Sequence, residues 1–395
     1  MSANTVAFDA WMRSRFLELN TQLEELYFAQ DDRANVRGVG DELKHAVRDE
    51  GHEHVVALLR EGNTGDGFAS AFDVLGSVGM YLAALRRHEL TNPAREDRSP
   101  FPEASSLAMH IGASIGMVPR FATSHLTTHN RAVRGVRKSF TSLPDEFLFH
   151  DENTRAILGV QRAADALTRI AQLGVTSPVA EILFADAKAA LEEVLSFLDR
   201  LFDELDPDRF FYCVRPYFKP HLVGRTVYRG ANAGDFSGVN EVDLLLGVCQ
   251  ASDPSYAQLL VDKMLFMLPG DQQRLRECMM RRSLLDEFLG LVDESSQEPW
   301  FRENARAFLE VCDLYGQTAA RHHDRLVSRF IEQPSSGLAE EHLEGLTASG
   351  PPLPVLLRSL EALRDQRLAR GGSSRHAEFA RLRGALGVSA RGTPS

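Results

Sequence analysis

The run VAEILFADAKAALEEVLSFLDRLFDEL at 179–205 repeats apolar residues every three or four positions, with acidic and basic residues between them. That spacing lays one apolar stripe along a helix and leaves the other face to water. The same period recurs at 11–26, 68–87, 154–171, 256–267, 272–291, 300–330 and 353–367, while alternating strand patterns are nearly absent. The chain is therefore expected to be all-α. Breaks fall at 62–67, in TNPAREDRSPFP at 91–102 and around Pro207. The connection GRTVYRGANAGDFSG at 224–238 is too long for a simple turn and is a candidate part of a site. A second irregular stretch, 333–354, is rich in Ser, Gly and Pro, and 388–395 reads as a frayed tail. We expect a small N-terminal helical domain at 1–120, a larger helical domain at 121–387 and a flexible tail at 388–395, with no internal repeat.

Charge narrows the range of partners. Lys and Arg number 44 against 55 Asp and Glu, a net of −11, so the chain lacks the basic field that holds a protein to nucleic acid or an anionic membrane. The uncharged stretches 74–85 and 105–119 are shorter than the ~20 residues that span a bilayer. The four cysteines, Cys213, Cys249, Cys278 and Cys312, form no C-x-x-C pair, which argues against a disulfide framework, a zinc ribbon or covalently attached haem. They read as reduced core residues. The N-terminal segment is charged throughout and unlike an export signal, so a cytoplasmic location is expected. No dinucleotide fingerprint, P-loop, nucleophile elbow or kinase set is present.

Chemistry-bearing residues gather in three places. In the helix expected at 300–330, Phe301, Ala305, Phe308, Cys312, Tyr315, Ala319, Leu326 and Phe330 form one stripe, and His322 and His323 flank its centre on opposite sides. Spacing does not choose between them. Either one is a bonded core histidine and the other a surface one, or one neutral imidazole points into an apolar cavity, where it could hold a haem iron. In Phe210-Phe211-Tyr212-Cys213-Val214-Arg215-Pro216, Phe211 and Arg215 share a helical face, and Pro216 disfavours helical backbone at Arg215, predicting a kink there. Arg215 is then either a surface ion-pair partner or a guanidinium fork for a small carboxylate beside aromatic rings. In LPDEFLFHDENTR at 143–155, Phe149 and Asn153 share a face next to His150, while capping explains Asp145 and Asp151. His125 and His129 have the spacing of a two-histidine metal site without a recognisable third ligand, which favours a structural role. Arg131, Arg134, Arg137 and Lys138 read as a solvated basic face, with haem propionates or phosphate as the alternative partners.

Four stretches, 67–87, 139–155, 210–230 and 323–329, resemble in sequence and order the histidine-ligated haem superfamily of indoleamine and tryptophan 2,3-dioxygenases. The likeness is greatest to its pyrrolnitrin-biosynthesis branch, the monodechloroaminopyrrolnitrin synthases. His323, Leu326 and Arg329 match that superfamily's proximal-ligand pattern, His-x-x-aliphatic-x-x-basic. The resemblance thus implies an indoleamine-dioxygenase-like fold, the larger domain holding haem b on His323. Phe149 and Asn153 match its distal pocket, with His150 nearby as a proton donor. Phe210, Phe211 and Arg215 match an aromatic pair and an arginine that receive the indole ring and the carboxylate. Asp243 in DLLLG also looks like that family at the same place.

The implied activity is oxygenation of tryptophan or a related indole amino acid, with O2 on ferrous haem attacking the indole C2–C3 bond and a reductant keeping the iron ferrous. A rearrangement of a substituted tryptophan in secondary metabolism is the near alternative, and a haem carrier or a helical scaffold the distant one. Where indoleamine dioxygenases carry a Gly-rich lid, this chain reads Thr347-Ala348-Ser349-Gly350-Pro351-Pro352, and Asn153 replaces their Ser or His.

Overall fold

Proline and capping side chains decide where many of the helices start. Pro102, Pro144, Pro254, Pro269 and Pro299 each occupy a first-turn position, where the missing N–H has no helical partner to lose. Ser2, Asp253 and Ser283 accept first-turn backbone N–H groups. The computed structural model describes residues 2–62, 67–231, 235–336, 347, 352–369 and 373–387. Its long helices are α1 Ala3–Met12, α2 Arg15–Phe28, α3 Asp41–Glu61, α4 Phe68–Arg87, α5 Pro102–Ile115, α6 Pro144–Leu173 and α7 Ala180–Glu204. They continue with α8 Gly238–Leu246, α9 Pro254–Met264, α10 Pro269–Met279, α11 Leu284–Ser295, α12 Pro299–Arg321, α13 Leu353–Arg367 and α14 His376–Ala385. The fold is all-α. Its described strands, β1 His221–Val223 and β2 Thr226–Tyr228, make one short antiparallel hairpin that turns at Gly224 with φ +61°.

Several expected helices are divided. The one expected at 11–26 is interrupted at Ser14 (φ −131°, ψ −87°), and the one at 272–291 restarts at Ser283, whose hydroxyl accepts the Asp286 N–H. Helices α3, α5, α8 and α14 had no clear periodic signal, and α6 starts at Pro144 rather than near residue 154. The irregular stretch expected at 333–354 and the tail at 388–395 lie mostly or wholly outside the described residues.

Apolar side chains collect into two cores. One contains Phe8, Phe16, Leu75, Tyr81, Phe121 and Phe140 and also takes in Phe210, Val214, Tyr217 and Phe330. The other is built on α6, α7 and α12 around Phe184, Phe288, Phe301 and Phe308. Leu326 packs against both. Helix α4 has an 18-residue window of hydropathy 1.5, long and apolar enough by composition to cross a membrane, but 72% of that window is buried inside the protein. Its apolar surface is used in the first core. At its end Arg87 meets Glu24 in a bidentate pair (2.8 and 2.7 Å) that is almost entirely out of water.

Candidate functional site

The N-terminal turns of α6 are fixed by a buried carboxylate. Glu146 accepts the N–H groups of Phe140 and Thr141 and the Thr141 hydroxyl, each at 2.7 Å, which ties the loop 139–141 to the helix. Burial pushes this carboxyl up to about 7 even so. Asp145 and Asp151 do not cap α6 as expected: Asp145 accepts the Asp206 N–H at 3.0 Å and Asp151 pairs with Arg137. Phe149 projects to a ring-centroid distance of 4.8 Å from Phe210, and Phe210 lies 5.9 Å from Phe330. His150 is buried with its Nε2 unbonded, 4.0 Å from Glu146 Oε1, and burial lowers it to about 3. It is a neutral imidazole, able to donate a proton only from that form. Asn153 spends one amide N–H on the Phe149 carbonyl at 2.7 Å, which leaves its second N–H and its Oδ1 available to a ligand.

The helix changes type at Arg215, but Arg215 itself keeps helical angles (φ −54°, ψ −36°), so the non-helical backbone expected before Pro216 is not found. Residues 210–214 make a π-turn in which the Arg215 N–H bonds to the Phe210 carbonyl, followed by a 3-10 turn at Arg215–Phe218. Pro216 has no N–H to offer, and the Tyr212 carbonyl accepts from Arg87 Nη2 at 2.9 Å instead. The surface ion-pair reading of Arg215 is overturned. Its side chain is only 8% exposed, has no hydrogen-bond or carboxylate partner, and lies 5.4 Å from the centre of the Phe211 ring. Burial alone lowers it to about 10. It lines a cavity of about 570 Å³ together with Arg86, Phe211, Tyr212 and Lys219.

The helix carrying the two histidines does not run evenly to Phe330. Helix α12 ends at Arg321 and continues as a π-helix over His322–Glu332, and π segments inside helices occur frequently at functional sites. The two imidazoles differ. His322 is exposed, whereas His323 has its Nδ1 3.1 Å from Asp324 Oδ1 and its Nε2 buried without any partner. Asp324 is itself held by Arg364 at 2.8 Å. A carboxylate that accepts the Nδ1 proton leaves the lone pair on Nε2, and an oriented, partnerless Nε2 is what an axial metal ligand requires. His323 thus offers the buried, unpartnered ring nitrogen that a haem iron would need. Leu326 and Arg329 stand on the same turn system, and Arg329 donates to the Phe202 carbonyl at 2.8 Å.

The predicted residues fall into two adjoining groups. Phe149, Phe210 and Phe330 bring the π-helix of His323 against the start of α6. Phe211 and Arg215 turn into the 570 Å³ cavity, which His323 does not line. A larger cavity of about 900 Å³ lies between α4, α5 and the turn at Thr123–His129 on one side and α6 with α10 on the other, and it too lacks His323. Both are within the usual size range of small-molecule pockets.

Other candidates turn out to be structural. His125 stacks on Phe72 at 3.7 Å and has its ring nitrogens at 2.8 Å from the Ala122 N–H and the Phe72 carbonyl. Among the described residues no group of three or more His, Cys, Asp or Glu could hold a metal ion. Lys138 is not on a solvated face: it is buried and pairs with Asp9 at 2.9 Å and Asp73 at 2.8 Å. Asp243 is fully buried and accepts from Tyr256, Tyr315 and both arms of Arg367, which clamps α13 to α8 and α12. All four cysteines are buried and free. Arg86 and Lys219 were missed, because a lone basic residue beside a helix end gives no sequence signal of where it points.

A family model described as monodechloroaminopyrrolnitrin synthase PrnB matches residues 2–386, which covers both groups and both cores. The chain belongs to the monodechloroaminopyrrolnitrin synthase PrnB family. It is accordingly a member of an enzyme family. The match includes every residue of the aromatic wall, Arg215, His323 and Arg364.

Proposed function

We propose that this PrnB-family protein is a haem-dependent oxidoreductase that modifies tryptophan, or a substituted tryptophan, in a pyrrolnitrin-type biosynthesis. The observation that carries this reading is His323, whose Nδ1 is engaged by Asp324 while its buried Nε2 has no partner. Haem b bound there supplies the oxygen chemistry at the indole C2–C3 bond, with O2 as co-substrate and an external reductant. The chain's own part is binding and orientation. Asp324 fixes the tautomer of His323 and raises the basicity of Nε2. Phe149, Phe210 and Phe330 offer an apolar wall for a flat ring. Arg215 offers a planar fork to the amino-acid carboxylate, and its burial without a counter-ion strengthens that attraction. His150 stands beside Phe149 as the group able to hold a proton near the ring, and Asn153 Oδ1 as a hydrogen-bond acceptor. Membership of the PrnB family favours rearrangement of a substituted tryptophan over simple ring opening.

The test is spectroscopic and then chemical. Protein supplied with haem should show a Soret band that disappears in His323→Ala and survives in His322→Ala; the reverse pattern would remove the assignment. The reduced protein, loaded anaerobically with a panel of tryptophans and then given O2, should convert one of them. Mass analysis of the products distinguishes rearrangement from ring opening and from hydroxylation.

A further inference from the structure

The long connection 224–238 carries an arginine that has no counter-ion among the described residues. Arg229 follows β2, and its guanidinium stands 4.2 Å from the centre of the Phe266 ring, yet its Nε and Nη2 are buried without a hydrogen-bond partner. The Phe266 N–H bonds to the Lys263 carbonyl at 3.0 Å, which puts Lys263 on the same turn at the end of α9. Lys263 likewise has no hydrogen bond or carboxylate partner among the described residues. The acids nearby are already committed. Asp235 accepts both arms of Arg120 and the Thr123 hydroxyl, Asp243 accepts from Tyr256, Tyr315 and Arg367, and Asp262 is exposed and accepts from Gln258 at 2.8 Å. Both cations are half-buried. Burial, with Arg367 and Arg229 close by, pushes the Lys263 ammonium down to about 8 against the pull of Asp243, and burial lowers Arg229 as well.

Helix α13 ties these two cations to His323. On that helix Arg364 holds Asp324 at 2.8 Å and stands 3.4 Å from His323 Nδ1. One turn on, Arg367 is clamped to Asp243 at 2.8 and 2.7 Å, and its carbonyl packs so tightly on Gly316 of α12 that a Cβ there would lie 3.0 Å away. One helix thus runs from the histidine to the carboxylate beside Lys263. We propose that Arg229 and Lys263 bind the two propionate carboxylates of a haem held on His323. A haem is an apolar ring with two carboxylates on one edge, and two unmatched cations on one turn supply the complementary charge. The Arg229 fork takes both oxygens of one carboxylate, and the Lys263 ammonium meets the other as a point charge. Phe266 holds Arg229 against its ring and so limits the freedom the side chain loses on binding. Leaving the pair without anions costs stability that an arriving carboxylate offsets. Resting on the proposed ligation by His323, this assignment fixes which edge of the ring faces the 224–238 connection.

Haem and its dimethyl ester, whose propionates are capped and uncharged, separate this role from a merely structural one. The full-length chain is titrated with each and followed by its Soret band. Arg229→Gln and Lys263→Gln should each raise the dissociation constant for haem by about tenfold or more, the loss expected for a charge-assisted hydrogen bond, and should leave that for the ester unchanged. Arg229→Lys should recover part of the loss. Equal weakening of haem and ester would mark a structural role, and haem affinity unchanged in both Gln variants would remove the two residues from the propionates; either result overturns the proposal. The two levels of the assignment fail separately. A Soret band that depends on His323 but is indifferent to Arg229 and Lys263 refutes the propionate site alone, whereas a band that survives His323→Ala, or no uptake of haem at all, refutes the ligation and the propionate site with it.

Discussion

Two neighbouring basic residues at the end of α4 behave in opposite ways. Arg87 is locked into a dry bidentate pair with Glu24, while Arg86 turns to a cavity and has no partner. The same contrast separates the His323 turn from the Arg215 cavity. Around His323 the charges are matched, Asp324 by Arg364 and Asp199 by Arg321 and Arg325, and what is left open is a single ring nitrogen. One unpartnered nitrogen is the kind of group a metal takes. Around Arg215 the open groups are cations, whose isolation is costly and suits an anion. Where a fold leaves polar groups unsatisfied, the charge state of the leftover group indicates what is expected to fill the gap.

The sharpest way to break the comparison is to remove each arginine of the α4 pair. Arg87→Gln strands Glu24 in the core and should cost about 3–5 kcal/mol in urea unfolding, the range for one partner of a buried pair. Arg86→Gln should cost nothing measurable. Equal losses would mean that Arg86 is structural. Next in size, Arg215→Ala should weaken tryptophan binding by about 1.5–3 kcal/mol, the value of a hydrogen bond to a charged group, and should leave the Soret band in place. Unchanged affinity would remove Arg215 from the substrate site. On the haem side, Asp324→Asn should lower haem affinity by about 10- to 100-fold, as loss of an outer partner of a metal-bound histidine does.

Smaller effects are expected from pH. His125 and His150 are held neutral by burial at about 4 and about 3, against an ordinary value near 6.5. Between those values and pH 6.5 the unfolded chain binds more protons than the folded one, so these groups withdraw stability as pH falls from 6.5. Glu146 is raised to about 7 and acts with the opposite sign: the folded form keeps its proton longer, and stability is lost as pH rises from about 4.5 through 7. In urea melts across this range, Glu146→Gln should flatten the neutral limb and His150→Gln the acid limb. A profile unchanged in both variants would show that neither group titrates as its surroundings imply.

Periodicity was enough to place α4, α7 and α13 almost to the residue, because each is one uninterrupted amphipathic run. It failed at Ser14 and Ser283, where an apolar period continues across a turn and only a local backbone angle or a serine cap divides it. It also gave no sign of α3, a helix whose buried face is narrow and includes Lys44 and Gly51. The aromatic pair and Arg215 were legible as a motif, but Pro216 did not force Arg215 out of helical backbone; the segment passes instead from a π-turn to a 3-10 turn there. The choice between a surface and a buried arginine was not legible, since it depends on which acids come near once the chain is folded.

The amino-acid sequence by itself determined the all-α class and a histidine pair on a long helix, because each follows from repeat spacing along one segment. Only the tertiary structure decided that His323 keeps a free Nε2 while His322 faces outward, that Lys138 is buried between two aspartates, and that Arg86, Arg215 and Lys219 line one cavity. Those outcomes depend on which charges from distant segments meet and which remain alone, and pairing across space carries no period that a linear reading can detect.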